Sequence, residues 1–141
     1  MIQLEDVSVL LVDDESDFVS TLTKRMNKRE LKTSSVNSGE DALLFLDQHP
    51  TDVVILDVKM PSMGGIQTLR EIKQQYPLIE VIMLTGHANV EVAIQGMEMG
   101  AFDYLMKPMA IDDLVYKIQD AYKKKSNQEK KIKERLLSSS G

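Results

Sequence analysis

The amino-acid sequence predicts an α/β fold in which helices cover both faces of one parallel sheet. Short aliphatic runs of strand length alternate along the chain with longer amphipathic segments that have helical spacing. Five such strand and helix pairs fit in about 120 of the 141 residues, which suits one compact domain with an additional C-terminal segment. Right-handed crossovers between parallel strands then place the connecting helices on both sides of the sheet.

The first part of the chain predicts two strand–helix units. An aliphatic strand covers residues 7–12, and a helix begins near Ser16, a residue typical of helix N-caps. Residues 32–36 predict a weaker strand whose polar side chains mark it as an edge strand. Ser38 caps the second helix, which ends before Pro50.

The rest of the chain predicts three further units. We expect strands at 52–56, 80–84 and 102–106 and helices at 66–75, 90–99 and 111–122. The strand at 52–56 is aliphatic enough to be buried on both faces. Between this strand and its helix, proline and paired glycines at 59–65 indicate a loop with unusual backbone angles, and Gly100 closes the fourth helix as a C-cap.

The C-terminal segment differs in composition from the body of the chain. We assign residues 1–124 to the domain and 125–141 to a helical extension or linker that contains Ile132 and Leu136 and ends in a flexible serine-rich stretch. We hypothesise that this extension is a linker helix to an effector module or a coiled-coil contact, although its apolar residues are too sparse for a regular heptad pattern.

Composition and charge exclude several classes of function. Cysteine is absent, so disulfides, thiolate catalysis and cysteine-ligated metal sites are ruled out. No apolar run reaches the roughly 20 residues of a membrane span, and no charged-then-apolar leader opens the sequence, so we expect a cytoplasmic protein without membrane contact. The net charge is −5, with +5 concentrated at residues 123–135, so the acidic body is not expected to bind nucleic acid directly.

Chemically distinctive residues follow four of the predicted strands. Asp13 and Asp14 close the first strand, Asp57 the third, Thr85 the fourth and Lys107 the fifth. The carboxyl ends of parallel strands line one crevice, where ligands bind in open α/β sheets. We therefore expect three carboxylates, a hydroxyl and an ammonium group to converge there.

Converging carboxylates require a cation. At about 4–5 Å and an effective dielectric constant near 20, each like-charge pair costs roughly 3–4 kcal/mol. Oxygen ligands without His or Cys select a hard ion, with Mg²⁺ before Ca²⁺. Asp13, Asp14 and Asp57 fit this role, and the backbone carbonyl of Lys59 is the simplest additional ligand.

Metal binding alone would not require Lys107 and Thr85, but a phosphoryl group would. Phosphoryl transfer depends mostly on positioning and on neutralising charge at the equatorial oxygens. Asp57 ends the central strand and is the best candidate nucleophile. Lys107 can pair with Asp57 before transfer and with the phosphoryl oxygens afterwards, while Thr85 can donate its hydroxyl to one of those oxygens.

Four motifs together resemble the receiver domain of two-component response regulators: LLVDDE (10–15), VILDVKMPSMGG (54–65), LTGH (84–87) and GAFDYLMKP (100–108). The resemblance covers about residues 5–124. The stretch TGHANV (85–90) with Ala93, Gly96, Met97, Gly100 and Ala101 is most similar to receivers of the NtrC type. Those receivers precede an ATPase and a DNA-binding module, and neither module is present in this sequence.

The resemblance implies a fold and a mechanism. The fold would be the flavodoxin-like, doubly wound sheet of order 2-1-3-4-5 with five helices, commonly with a cis bond between Lys107 and Pro108. Asp57 would accept a phosphoryl group from a histidine kinase's phosphohistidine with Mg²⁺. Thr85 would then move toward this group and Tyr104 would turn inward, which changes the face formed by helix 4, strand 5 and helix 5. In the family that face contacts output domains or forms homodimers.

Two other classes of function share parts of this pattern. Phosphatases with an aspartyl nucleophile tend to carry Asp-x-Asp on one strand, whereas Asp13 and Asp14 are adjacent and Asp57 lies on another strand. A flavin- or nucleotide-binding module would need a glycine-rich phosphate loop, which does not follow the first strand. We therefore predict a signalling switch that catalyses only its own phosphorylation and slow dephosphorylation, and not an enzyme. We interpret His87 as a surface residue near the crevice.

Overall fold

Five parallel strands form one sheet in which the strands, numbered along the chain, lie in the order 2-1-3-4-5, which confirms the predicted doubly wound topology. The structure, a computed structural model, describes residues 3–59, 64–86 and 90–139. The strands are β1 (Ser8–Val12), β2 (Lys32–Val36), β3 (Val53–Asp57), β4 (Glu80–Thr85) and β5 (Asp103–Met106). The helices are α1 (Ser16–Lys28), α2 (Gly39–Gln48), α3 (Gly65–Gln75), α4 (Val90–Glu98) and α5 (Ile111–Ser139).

Alternation of apolar side chains along the strands divides the core into two layers. On one face, Leu11 and Ile55 pack with residues of α1 and α5 such as Met26 and Ile118. On the other face, neighbouring strand residues such as Leu56 pack with α2 and α3. All residues of β3 are buried, as expected for a central strand covered on both sides.

Two helix ends follow their predicted chemistry. The Ser38 side chain accepts a hydrogen bond from the Asp41 N–H at 3.1 Å and so caps α2. After α4, Gly100 has a φ of +103°, and the Ala101 N–H donates to the Gly96 carbonyl at 3.0 Å. This is the Schellman arrangement, in which glycine adopts the left-handed conformation without strain.

Some sequence-based boundaries were wrong. Ser16 is the first helical residue of α1 and not its N-cap; Glu15 occupies the cap position without a side-chain capping bond. The Glu15 N–H donates instead to the Asp13 carboxylate at 2.9 Å, which turns the chain into the helix one residue earlier. A short 3₁₀ helix at Leu4–Asp6 was not predicted, and several strand ends differ by one residue.

A second charged cluster lies at the amino-terminal edge of the sheet. The Glu80 carboxylate is 1% exposed and pairs with Lys73 at 3.1 Å and with Lys124 at 2.8 Å. Next to it, Lys125 pairs with Asp52 at 3.0 Å. These contacts tie α5 to the sheet just beyond the last buried residue that the helix contributes to the core.

Among the described residues, none of the helices combines the length and the apolar character needed to cross a membrane.

Candidate functional site

The carboxyl edge of the sheet gathers the residues that close the strands. The parallel register aligns Val12 with Leu56 and Leu56 with Met83, so β1, β3 and β4 end at nearly the same level. Asp13 therefore follows β1 beside Asp57, the last residue of β3. This placement follows directly from the position of each acid after its aliphatic run.

Three carboxylates meet at this edge. Asp13, Asp14 and Asp57 each offer an oxygen atom, and these atoms lie within 4.8 Å of one another. Asp13 is 1% exposed and Asp57 3% exposed, whereas Asp14 is exposed. The set offers only hard oxygen donors, with one member open to solvent, which fits Mg²⁺ with several retained waters. The predicted additional ligand, Lys59, lies beside the cluster, and its N–H donates to the Asp57 carboxylate at 3.1 Å.

Lys107 supplies positive charge to the same cluster. Its ammonium nitrogen lies 2.7 Å from an Asp13 oxygen and 3.9 Å from an Asp57 oxygen. The Lys107 N–H donates to the Thr85 carbonyl at 2.7 Å, which fixes the lysine at the end of β5. The peptide bond between Lys107 and Pro108 is cis. The lysine ammonium thus hydrogen-bonds Asp13 and lies within ion-pair distance of Asp57.

Thr85 and Tyr104 occupy adjoining strands. Thr85 is buried at the end of β4, at the same sheet edge as Asp57. Tyr104 lies on β5 and is 42% exposed. His87 and the loop residues 60–63 lie outside the described residues.

Burial and charge shift the acid–base properties of the site. Burial raises the pKa of Asp57 from 3.8 to about 6, with the Asp13 charge adding to the increase, while the Lys59 N–H and the Lys107 charge oppose it. For Lys107, burial by itself lowers the pKa, but the hydrogen bond to Asp13 and the charge of Asp57 outweigh it, so the pKa of this lysine is raised. Lys107 is therefore charged at neutral pH, and Asp57 loses its proton near pH 6.

Sequence reasoning gave no role to two residues that contact Lys107. The Glu15 carboxylate lies 3.2 Å from the lysine nitrogen, and the Phe18 ring centroid lies 4.2 Å from it. Glu15 and Phe18 follow Asp13 and Asp14 closely in the sequence, and this turn begins at the same edge of the sheet. Their sequence positions could therefore have indicated a contact with Lys107.

An acidic cluster beside a buried lysine, at the carboxyl edge of a doubly wound sheet, defines the class of phosphorylation-dependent signalling domains. The chain belongs to the response regulator receiver domain family, whose sequence model matches residues 9–119. Receiver domains of this family bind Mg²⁺ at an acidic pocket and interact with histidine kinases.

Two curated relatives support the NtrC-type resemblance. The regulatory protein AtoC of Escherichia coli (strain K12) is 40% identical over 114 residues, which cover 80% of this chain and 24% of AtoC. The DNA-binding transcriptional regulator NtrC of Klebsiella pneumoniae is 36% identical over 105 residues, which cover 74% of this chain and 22% of NtrC. The chain thus spans about a quarter of the length of these curated relatives.

Solved structures show the same fold. A response regulator receiver domain protein from Clostridium thermocellum superimposes with a TM-score of 0.82 at 35% identity, covering 86% of this chain and 98% of that one. NtrX from Brucella abortus matches with a TM-score of 0.84 at 27% identity, over 91% of this chain and 30% of NtrX. The predicted fold class and family are therefore confirmed.

Proposed function

We propose that this receiver accepts a phosphoryl group on Asp57 from the phosphohistidine of a sensor histidine kinase. The observation that carries the proposal is the convergence of three carboxylates within 4.8 Å, with the Lys107 ammonium 3.9 Å from an Asp57 oxygen. This combination supplies a nucleophile, oxygen ligands for a divalent cation and a positive charge for the transferred group.

Asp57 is the nucleophile in this proposal because its surroundings orient the carboxylate. One oxygen accepts the Lys59 N–H and the other faces Lys107. An Asp57 oxygen forms a bond to phosphorus while the bond between phosphorus and the donor's histidine nitrogen breaks. The imidazole leaves and takes up a proton from solvent. Asp57 is ionised for this attack above its pKa of about 6.

Asp13, Asp14, Asp57 and the Lys59 carbonyl are the proposed Mg²⁺ ligands. When bound, Mg²⁺ neutralises charge that develops on the phosphoryl oxygens. Lys107 then pairs with one of these oxygens, and the Thr85 hydroxyl donates to another. The adjacency of Lys107 and Thr85, joined by a backbone hydrogen bond of 2.7 Å, supports their acting together.

The proposed output is a change in the surface formed by α4, β5 and α5. This surface exposes a set of large apolar side chains: Ile94, Met97, Tyr104, Met106 and Tyr116. Thr85 and Tyr104 link it to Asp57, since they occupy paired strands. The surface suits contact with an output domain or with a second copy of the chain, and the α5 extension offers another dimer contact.

Phosphoryl mimics test this switch. With beryllium fluoride and Mg²⁺, we expect the amide resonances of Tyr104 and Ile94 to shift, and Asp57→Asn to abolish the shifts. Unmoved resonances in a protein that binds the mimic would contradict the switch while leaving phosphoryl acceptance intact.

The decisive test of phosphoryl acceptance is intact mass. Incubation with acetyl phosphate and Mg²⁺ is expected to add the mass of one phosphoryl group, and Asp57→Asn is expected to prevent it. Asp120→Asn, which removes an exposed carboxylate in the first half of α5, serves as the matched control and keeps the gain. A wild-type protein that acquires no mass, or an Asp57→Asn protein that acquires it fully, would refute the proposal.

The two competing classes have separate tests. Steady turnover of a small phosphate ester would favour a phosphatase over a self-phosphorylating switch. Visible absorbance of the purified protein would favour a flavin module. We expect neither turnover of a phosphate ester nor visible absorbance. We propose that the domain catalyses only its own phosphorylation and slow dephosphorylation.

We propose that residues 1–124 form the receiver unit and that 125–141 act as a helical extension or linker. Of the curated relatives, AtoC is named as a regulatory protein and NtrC as a DNA-binding transcriptional regulator. By analogy, we propose that this receiver serves transcription regulation in the cytoplasm, with DNA contacted by an output domain or a partner and not by this acidic domain.

A further inference from the structure

The ammonium group of Lys107 is bound mainly by the turn between β1 and α1. Its nitrogen lies 2.7 Å from Asp13, 3.2 Å from Glu15 and 3.9 Å from Asp57. The first two distances are hydrogen bonds, whereas the third is too long for one. The Phe18 ring lies against the same nitrogen at 4.2 Å, within cation–π range.

We propose that Glu15 is a positioning residue that holds Lys107 back from Asp57 before phosphorylation. The inference rests on the proposed function, because it concerns the step in which Lys107 pairs with a phosphoryl oxygen on Asp57. In the proposed step, the nitrogen turns from Glu15 to the phosphoryl oxygen and gives up its contact with Glu15. The Glu15 contact therefore favours the unphosphorylated arrangement.

The strength of the contact suits a restraint that is easily released. Glu15 is 64% exposed, so water and salt screen its attraction for Lys107. The Glu15 backbone is fixed, however, because its N–H donates to Asp13 at 2.9 Å and its carbonyl accepts the Val19 N–H at 2.9 Å. Only the length and charge of the side chain then decide whether the carboxylate reaches the lysine.

Two substitutions separate contact from charge. Glu15→Gln removes the charge, whereas Glu15→Asp keeps it on a side chain one methylene shorter that no longer reaches Lys107. Both are expected to speed phosphorylation by acetyl phosphate at saturating Mg²⁺ about two- to five-fold, the range of an exposed ion pair. Both are also expected to lower the beryllium fluoride concentration at half-saturation by a similar factor. Asp17→Asn, which removes an exposed carboxylate from the first turn of α1, is the matched control and leaves both quantities unchanged.

The outcomes distinguish the two proposals. Acceleration by Glu15→Gln alone, or equal acceleration by Asp17→Asn, would show that the electric field and not the contact matters, and would overturn the inference. Unchanged rates and half-saturation in both Glu15 variants would also overturn it. Each variant is compared with the phosphorylation rate of the wild-type protein. If the wild type itself is not phosphorylated, the proposed function fails.

Discussion

The buried carboxylate at the amino-terminal edge of the sheet makes a quantitative prediction about stability. Glu80 is 1% exposed and has two cationic partners, Lys73 and Lys124. The Lys73 nitrogen also donates to the carbonyls of Pro77 at 2.8 Å and Ile79 at 2.9 Å. Lys73 is largely buried, whereas the Lys124 side chain is 48% exposed.

The two lysines should therefore differ in their contributions. Breaking a buried ion pair costs about 3–5 kcal/mol when a charge is left uncompensated. Lys124 still compensates Glu80 in Lys73→Met, but two carbonyls lose a donor, so we expect a loss of about 3 kcal/mol. Lys124→Met leaves the Lys73 pair intact and removes a half-exposed partner, so we expect about 1 kcal/mol after solvent screening.

Urea unfolding at pH 7 measures the difference. With an m-value of about 2 kcal/mol/M, Lys73→Met lowers the midpoint by about 1.5 M and Lys124→Met by about 0.5 M. Lys133→Met, at an exposed position of α5, is the control and shifts it negligibly. Equal losses for the two variants, or a Lys73→Met loss below that of Lys124→Met, would refute the reasoning from burial.

Three further predictions concern the carboxyl edge. In metal-free buffer at pH 8, Asp57→Asn is expected to raise the free energy of unfolding by about 3 kcal/mol. The reason is that the pKa of Asp57 rises from 3.8 to about 6 on folding, and each pKa unit corresponds to about 1.4 kcal/mol. The gain shrinks as the pH falls from about 6 to 4, since the native carboxyl is then protonated; a gain independent of pH in urea titrations would contradict this. Saturating MgCl₂ is expected to raise the thermal unfolding midpoint of the wild type, and Asp13→Asn is expected to remove most of this rise. An equal rise in the wild type and in Asp13→Asn, measured by calorimetry, would count against Asp13 as a Mg²⁺ ligand. Gly65→Ala is expected to lower the free energy of unfolding, measured in urea, by about 2 kcal/mol, because a Cβ at this position would lie 2.3 Å from the Val58 Cα. In the control Gly86→Ala the new Cβ meets open space, so the free energy of unfolding changes little.

Much of the site could be predicted because it depends on strand ends. An aliphatic run fixes where a buried strand lies, and in a parallel sheet the residues that follow such runs share one edge. Asp13, Asp57 and Lys107 could therefore be placed together without knowing any side-chain conformation. The pKa of Asp57 was not predictable in the same way, because it depends on the balance between burial and the surrounding charges.

Contacts between distant or exposed side chains escaped prediction. No local pattern links Glu80 to Lys124, because their meeting depends on how α5 crosses the sheet. The contact between Glu15 and Lys107 depends on the direction of one flexible side chain. The continuous course of α5 to Ser139 has a simpler cause, because residues 111–139 contain no glycine or proline to break the helix.

The length of α5 gives the domain a mechanical lever. Beyond the ion pairs that Lys124 and Lys125 make with the sheet, the helix continues to Ser139 as an arm of roughly 21 Å at 1.5 Å per residue. A tilt of about 10° in the docked part would move the far end by about 4 Å, by the same geometry. A small rearrangement beside Asp57 that tilted the docked part of α5 would thus be larger at the far end of the helix.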